Sequence, residues 1–318
     1  MKLSRRTFLA ALLAGAAGTA LTACGASAQN TAASEAAAPA AAALISLSDY
    51  PEVYGSTALA PLMAAMMHET TGTPLETAQS DIAVCQTDNA WLALLADSDP
   101  SYQYSPALIV AYEMSQEMQR RAKEADDAPE STAIGRDGLV FFVSDDNPVK
   151  KVTRQQLADI YAGKITRWKE LGGDDVAITA YQCEYGCASQ TLFLQLFSEL
   201  VEQHTLAEPP TELFQREEQS VLDRAVAVFR ATPGALGYSV HYYFAHMFAG
   251  SGLRPLVVDG IAPDDAAIRD QRYPLCGAFY AAIRSSEAYD SPARTLYEWL
   301  CGSDGKACLT ENGYVSAL

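Results

Sequence analysis

The segment "GLVFFVS", residues 138 to 144, constrains this chain most, because an uncharged apolar run of strand length is what a strand covered on both faces requires. Its neighbours supply the covering layers. "YGSTALAPLMAAMMHETTG" reads as strand end, loop and helix, with Leu59, Leu62, Met63, Met66 and Met67 on one helical stripe and Gly72 as its stop. "VTRQQLADIYAGK" places Thr153 and Gln156 at capping-box spacing and ends at Gly163. "AITAY" reads as a strand. It leads into "YQCEYGCASQTLFLQLF", residues 181 to 197, where small polar residues precede a helix carrying Leu192, Phe193, Leu196, Phe197, Leu200 and Val201 at helical spacing. "GALGYSV", "LRPLVVDG" and "AFYAAIR" read as further strands, and "SPARTLYEWLCG" as a helix capped by Ser291 with Pro292 in its first turn. Strands alternating with helices predict an α/β fold of largely parallel sheets, with ligands held at the carboxyl ends of the strands.

The chain opens "MKLSRRTFLAALLAGAAGTALTAC", a basic stretch followed by a short run of small apolar residues, which predicts an export signal over residues 1–23. "SRRTFLA" resembles a twin-arginine signal, a general secretory signal being the alternative. "LTAC" resembles a lipobox that would lipidate Cys24. Residues 24–45, rich in Ala, Ser and Thr without a buriable face, read as a lipidated cysteine and flexible tether. The expected location is extracytoplasmic, with the lipid holding the body to the cell membrane.

The remaining body of roughly 270 residues suits two lobes or one large domain. A net charge of −17 makes nucleic acid an unsuitable partner. An anion site on such a body must be local. Apart from Cys24, six cysteines allow three disulfides in an exported protein. Cys301 with Cys308 across the polar "CGSDGKAC" is the favoured pair; Cys183 with Cys187 is a second possibility, and buried thiols are the alternative for each. His68, His204, His241 and His246 make no familiar metal-ligand spacing with these cysteines, so no metal and no cofactor is expected.

Taken in order, "YGSTALAPLM", "IGRDGLVFFVSDDNPVKKVTRQQLADIYAGKITRWKELGG", the "SQT" of residues 189–191, "GALGYSVHYYFAHMF", "VVDGIAP", "YPLCGAFYAAIR" and "ENGYVSAL" resemble the phosphate-specific extracytoplasmic solute-binding proteins of ABC importers. The resemblance covers about residues 50 to 318. It implies a two-lobed, type II periplasmic-binding-protein (Venus-flytrap) fold, with lobe 1 formed by residues 46–135 and 236–318 and lobe 2 by residues 136–235. The ligand would lie between the lobes.

Such proteins grip a dehydrated oxyanion with helix N-termini, hydroxyls, one bidentate Arg and one Asp that accepts the proton of a protonated phosphate. The resemblance carries the ligand-binding role onto Ser56 and Thr57 in lobe 1, and onto Ser189, Gln190 and Thr191 in lobe 2. It also marks departures. Cys183 stands at the Arg position, Cys187 replaces a small polar residue, and Ala107 falls where the carboxylate is expected, with Asp81, Asp97 or Asp99 as possible substitutes. Arg136, Arg216 and Arg230 are candidate replacement cations, and Tyr54, Tyr181 and Tyr185 could suit a larger ligand or simply pack. A hydrogen bond to a charged group contributes about 1.5 to 3 kcal/mol, so two lost groups could weaken binding by about two to four orders of magnitude.

The expected function is that of a lipid-anchored solute-binding protein delivering a phosphate-like solute to an ABC permease. The alternative is a binding fold repurposed as a surface sensor or interaction module without phosphate binding. An enzyme is not expected: a nucleophilic cysteine needs a nearby base, and no His is locally paired with Cys183 or Cys187.

Overall fold

One long strand joins both halves of the molecule. The structure, a computed structural model, describes residues 43–96, 105–207, 226–248 and 250–317. The predicted export signal, Cys24, Asp97, Asp99, Arg216 and nearly all of the tether lie outside them. The strands are β1 (Val53–Ser56), β2 (Ala83–Cys85), β3 (Leu108–Tyr112), β4 (Pro129–Ser144), β5 (Lys151–Val152), β6 (Thr179–Ala180), β7 (Ala235–Val240), β8 (Leu253–Pro255), β9 (Val257–Val258), β10 (Cys276–Arg284) and β11 (Val315–Ser316). The main sheet runs β2-β1-β3-β10-β4-β7-β6, with β8 and β11 also paired to β4, while β5 and β9 form a separate pair.

Each half of β4 belongs to a different lobe. Residues 129–138 pair with β10, and residues 139–144 pair with β7 and β8. The expected apolar run is the second half, and it is buried throughout. Phe141 packs into a core with Tyr161, Trp168, Phe193, Leu236 and Leu256. The first lobe has its own core, in which Leu59, Leu62, Met66, Val110, Phe279 and Leu296 meet. Ile45 also packs there, and its N–H donates to the Thr70 carbonyl, so the expected tether ends before residue 45.

The helices are α1 (Ala60–Thr71), α2 (Leu75–Asp81), α3 (Thr87–Leu95), α4 (Gln116–Glu124), α5 (Arg154–Tyr161), α6 (Ala188–Leu196), α7 (Ser198–Glu202), α8 (His241–Met247), α9 (Asp265–Arg269), α10 (Pro292–Cys301) and α11 (Ser303–Glu311). Their ends follow local chemistry. Gly72 closes α1 in the left-handed region, at φ 73°, and Thr153 with Gln156 makes the full capping box of α5. The helix expected through Val201 breaks at Phe197, where the Arg154 guanidinium lies over the ring and donates to the Leu196 carbonyl. None of the described helices is long and apolar enough to cross a membrane.

Three expectations are corrected. The sheet is mixed rather than largely parallel: β1–β2, β1–β3, β5–β9 and β6–β7 are parallel, but every pairing of β4 and β10 is antiparallel. Residues 253–275, expected in the first lobe, pack with the second, since β8 pairs with the far half of β4 and Leu256, Ile268 and Tyr273 join its core. Cys301 and Cys308 are free thiols, not a disulfide. The "SDGKA" between them is helical, and Gly305 lets α11 close on α10, a Cβ there falling 2.2 Å from the Leu300 carbonyl oxygen.

Where the chain crosses between lobes, Asp137 is fully buried. Its carboxylate accepts from Tyr112 Oη at 2.7 Å, Gly138 N at 2.7 Å and Tyr242 N at 3.2 Å. Asp137→Ala strands all three donors and is predicted to cost about 3 to 5 kcal/mol in chemical unfolding. Asp137→Asn keeps an acceptor for both N–H groups and should cost far less. Burial also raises the Asp137 carboxyl above its ordinary range, against the lowering effect of its donors. The folded chain therefore binds that proton more tightly than the unfolded chain. The resulting stabilisation is complete below about pH 4 and is lost as pH rises through the raised pKa. Asn does not titrate, so the deficit of Asp137→Asn should narrow as pH rises above about 4; a widening deficit would contradict this assignment.

Candidate functional site

The first lobe presents the carboxyl ends of β1, β2 and β3 at one edge, as an α/β layer does. Ser56 ends β1 and Thr57 opens the turn into α1. Ser56 does not cap that turn; its buried hydroxyl meets Thr87 Oγ1 at 2.8 Å and accepts from Tyr112 N at 3.4 Å. One hydroxyl thus ties the ends of β1 and β3 to the first turn of α3. Thr57 Oγ1 reaches the Cys85 carbonyl at 3.5 Å. Thr87 and Asp88 form the first turn of α3, and Asp88 is buried with Oδ1 unpartnered. Burial raises its carboxyl above the ordinary range, opposed by hydrogen bonds from Ser115. After β3, Glu113 is likewise raised by burial, against hydrogen bonds from the Ala278 amide and Tyr280.

The second lobe presents the loop 183–187 and the N-terminus of α6. Gly186 holds φ 89°, a conformation that favours glycine, and a Cβ there would sit 3.3 Å from Gln86 Oε1 and 3.4 Å from Asp88 Cβ. The lobes therefore meet closely at this loop. Asp88 N donates to the Gly186 carbonyl at 3.1 Å, Gln86 Nε2 to Glu184 Oε2 at 3.0 Å, and Gln195 Nε2 to the Met114 carbonyl at 2.7 Å. Ala188 packs against the core of the first lobe, and Leu192 lies close to Gly277.

Cys187 is the N-cap of α6, and its sulfur accepts from Gln190 N at 3.4 Å and also from the Ser189 amide. A hydrogen bond from Cys183 is the main cause that lowers the Cys187 thiol pKa. The same bond, with burial, pushes the Cys183 thiol well up. Tyr238 braces this loop from below: its hydroxyl accepts from Cys183 N at 3.3 Å and donates to Gln190 Oε1, while its carbonyl receives the Cys183 thiol at 3.7 Å.

Ser56, Thr57, Ser189, Gln190 and Thr191 therefore lie on the two edges that face each other, but not all are available. The Gln190 side chain is committed to Tyr238 and Gln182, and the Thr191 amide to the Cys187 carbonyl. Ala107 is a correction: it precedes β3, its N–H bonds to the Glu52 carbonyl, and it lies at the opposite end of the strand from the cleft. Five residues of strand, about 16 Å, separate the two ends. Asp81 ends α2 on the surface. The carboxyls that do stand at the cleft edge, Asp88 and Glu113, carry only one usable sequence signal, the "TDN" that opens a helix straight after a strand.

The two described candidate cations are elsewhere. Arg136 donates to the Arg269 carbonyl, and Arg230 lies beside Gly252 in a pocket of about 610 Å³ bounded by Ser144, Asp145 and Asp146 at the far end of β4. Tyr181 is packed with Phe229, Tyr54 donates to Glu52, and Tyr185 is 62% exposed at the rim. Among the described residues no group of three His, Cys, Asp or Glu side chains could hold a metal.

Comparison with known proteins agrees with this architecture. The phosphate-binding protein PstS of Bacillus subtilis is 26% identical over 179 residues, which are 56% of this chain and 54% of that protein, so the chain aligns with about half of that relative. A Clostridium perfringens protein solved with bound phosphate superposes with a TM-score of 0.62 at 19% identity, covering 84% of this chain and 98% of the other. An ABC-type phosphate transport receptor from Vibrio cholerae gives a TM-score of 0.59 at 21% identity, covering 83% and 98%. The family model described as the PBP superfamily domain matches residues 14–301. The chain, whose two cores are joined by β4, belongs to the PBP superfamily.

Proposed function

We propose that this protein is a lipid-anchored extracytoplasmic receptor that binds phosphate or a related small oxyanion between its lobes and presents it to an ABC permease. One observation carries the reading: the hydroxyl-bearing turn Ser56–Thr57 and the N-terminus of α6 lie on facing edges, joined through Thr87, Asp88 and Gly186. Two helix N-termini with flanking hydroxyls make a local anion site on an otherwise acidic body. The relatives that bind phosphate support the choice of ligand. Asp88, buried beside Gly186 with an unpartnered oxygen, would accept from the protonated oxygen of phosphate, a proton that sulfate does not offer. Cys24 supplies the anchor. A sensor without transport is the second reading, favoured by one feature: no described Arg stands beside Cys183, and the Cys187 sulfur already takes two of the α6 amides.

Calorimetry on the chain without its leader is expected to show phosphate binding in the micromolar to millimolar range, weaker for sulfate, because the missing Arg removes about 1.5 to 3 kcal/mol. No heat at millimolar phosphate would exclude the receptor reading. Thr57→Val and Ser189→Ala should each weaken phosphate about five- to tenfold without changing the unfolding midpoint by more than about 1 kcal/mol equivalent. Cys24→Ala should move the protein from the membrane fraction to the soluble fraction; unchanged fractionation would remove the anchor.

A further inference from the structure

The loop between β6 and α6 brings two thiols together, and neither is needed to build an anion cradle. We propose that Cys183 and Cys187 form a reversible dithiol–disulfide site that exchanges with an external disulfide, and that this exchange decides whether the α6 amides are open to an anion. The second half rests on the oxyanion reading above; the first does not.

The geometry is that of an exchange site. Cys187 N donates to the Glu184 carbonyl at 3.3 Å and Gly186 holds φ 89°, so a tight turn folds the loop back and brings Cys187 round towards Cys183, four residues earlier. The loop is at the surface, with Glu184 and Tyr185 exposed and both cysteines partly exposed. Cys187 sits at a helix N-terminus with its sulfur on backbone amides, an environment that favours thiolate, whereas burial raises the thiols of Cys276, Cys301 and Cys308. Cys183 is the resolving partner, its thiol directed to Cys187 and to the Tyr238 carbonyl.

The step balances as ordinary exchange. The Cys187 thiolate attacks one sulfur of a disulfide R–S–S–R, forming a mixed disulfide and expelling RS⁻, which takes the proton of Cys183. Cys183 then attacks the Cys187 sulfur, the internal bond forms, and a second RS⁻ leaves and takes its proton from water. Two electrons pass from the cysteine pair to the external disulfide. Once bonded, the Cys187 sulfur carries no charge and is a weak acceptor, so the Ser189 and Gln190 amides are released.

The test equilibrates the exported protein in glutathione buffers of varying ratio, alkylates it, and maps linked peptides by mass spectrometry. A Cys183–Cys187 bond that forms and breaks with the ratio is expected, with Cys276, Cys301 and Cys308 still alkylatable; Cys183→Ser and Cys187→Ser should each abolish it. Folded protein with no such bond at any ratio would overturn the site. In a second arm, phosphate is titrated into the oxidised and reduced forms, and about tenfold tighter binding when oxidised is expected. Equal binding in both forms would overturn the gating. A bond that forms while neither form takes phosphate would support the exchange site and remove the phosphate reading instead.

Discussion

A buried carboxylate is among the most costly groups a fold can contain unless it is compensated, and the two lobes are joined around one that three donors compensate. Asp137 lies where β4 passes from one core to the other, and its donors come from β3, from its own neighbour and from the start of α8. Tyr112 links that carboxylate to the cleft edge, because its N–H reaches Ser56 and its carbonyl accepts from Trp91. Tyr242 extends the connection in the other direction by stacking on Tyr314 at 3.7 Å, which holds the chain terminus against the first lobe. Strand ends, the crossing between lobes and Tyr314 are therefore fixed by one set of hydrogen bonds and a stacked ring pair, and the position of the Ser56–Thr57 turn depends on it.

Within that frame the facing edges offer backbone amides and hydroxyls rather than fixed positive charge. Helix N-termini and hydroxyls remain on both edges, so partial positive charge from amides is still directed inward. A fixed cation is not among the described residues beside Cys183. A thiol pair stands there instead, and the Cys187 sulfur accepts hydrogen bonds from the helix amides. A body of net charge −17 gains nothing from long-range attraction, so whatever binds must be held by these short contacts.

Much of the fold was legible because local chemistry and tertiary structure agree. Thr153 with Gln156, Gly72 and Ser291 mark helix ends by hydrogen bonds that depend only on near neighbours. The run 138–144 announced its burial by lacking any polar face. What failed depended on longer range. Every residue of β3 is buried, so "PALIVAY" offers no register mark, and the sequence does not distinguish Ala107 from the cleft end at Tyr112. Strand patterns do not say which lobe a strand joins, which hid the return of residues 253–275. Gly305 reads as a turn residue in "CGSDGKAC", yet it serves close packing of two helices. Asp137 and Asp88 are ordinary acids in sequence, and only the burial created by distant segments makes them distinctive.

The proposed oxyanion site lies between the turn after β1 and the N-terminus of α6. Crystals of the protein equilibrated with arsenate, a phosphate-like oxyanion, and measured at the arsenic absorption edge locate the anion directly. A single anomalous peak within hydrogen-bond reach of Thr57 and Ser189 is the result predicted. A peak instead at the Arg230 pocket by Ser144 and Asp146, or none at millimolar arsenate, would contradict it.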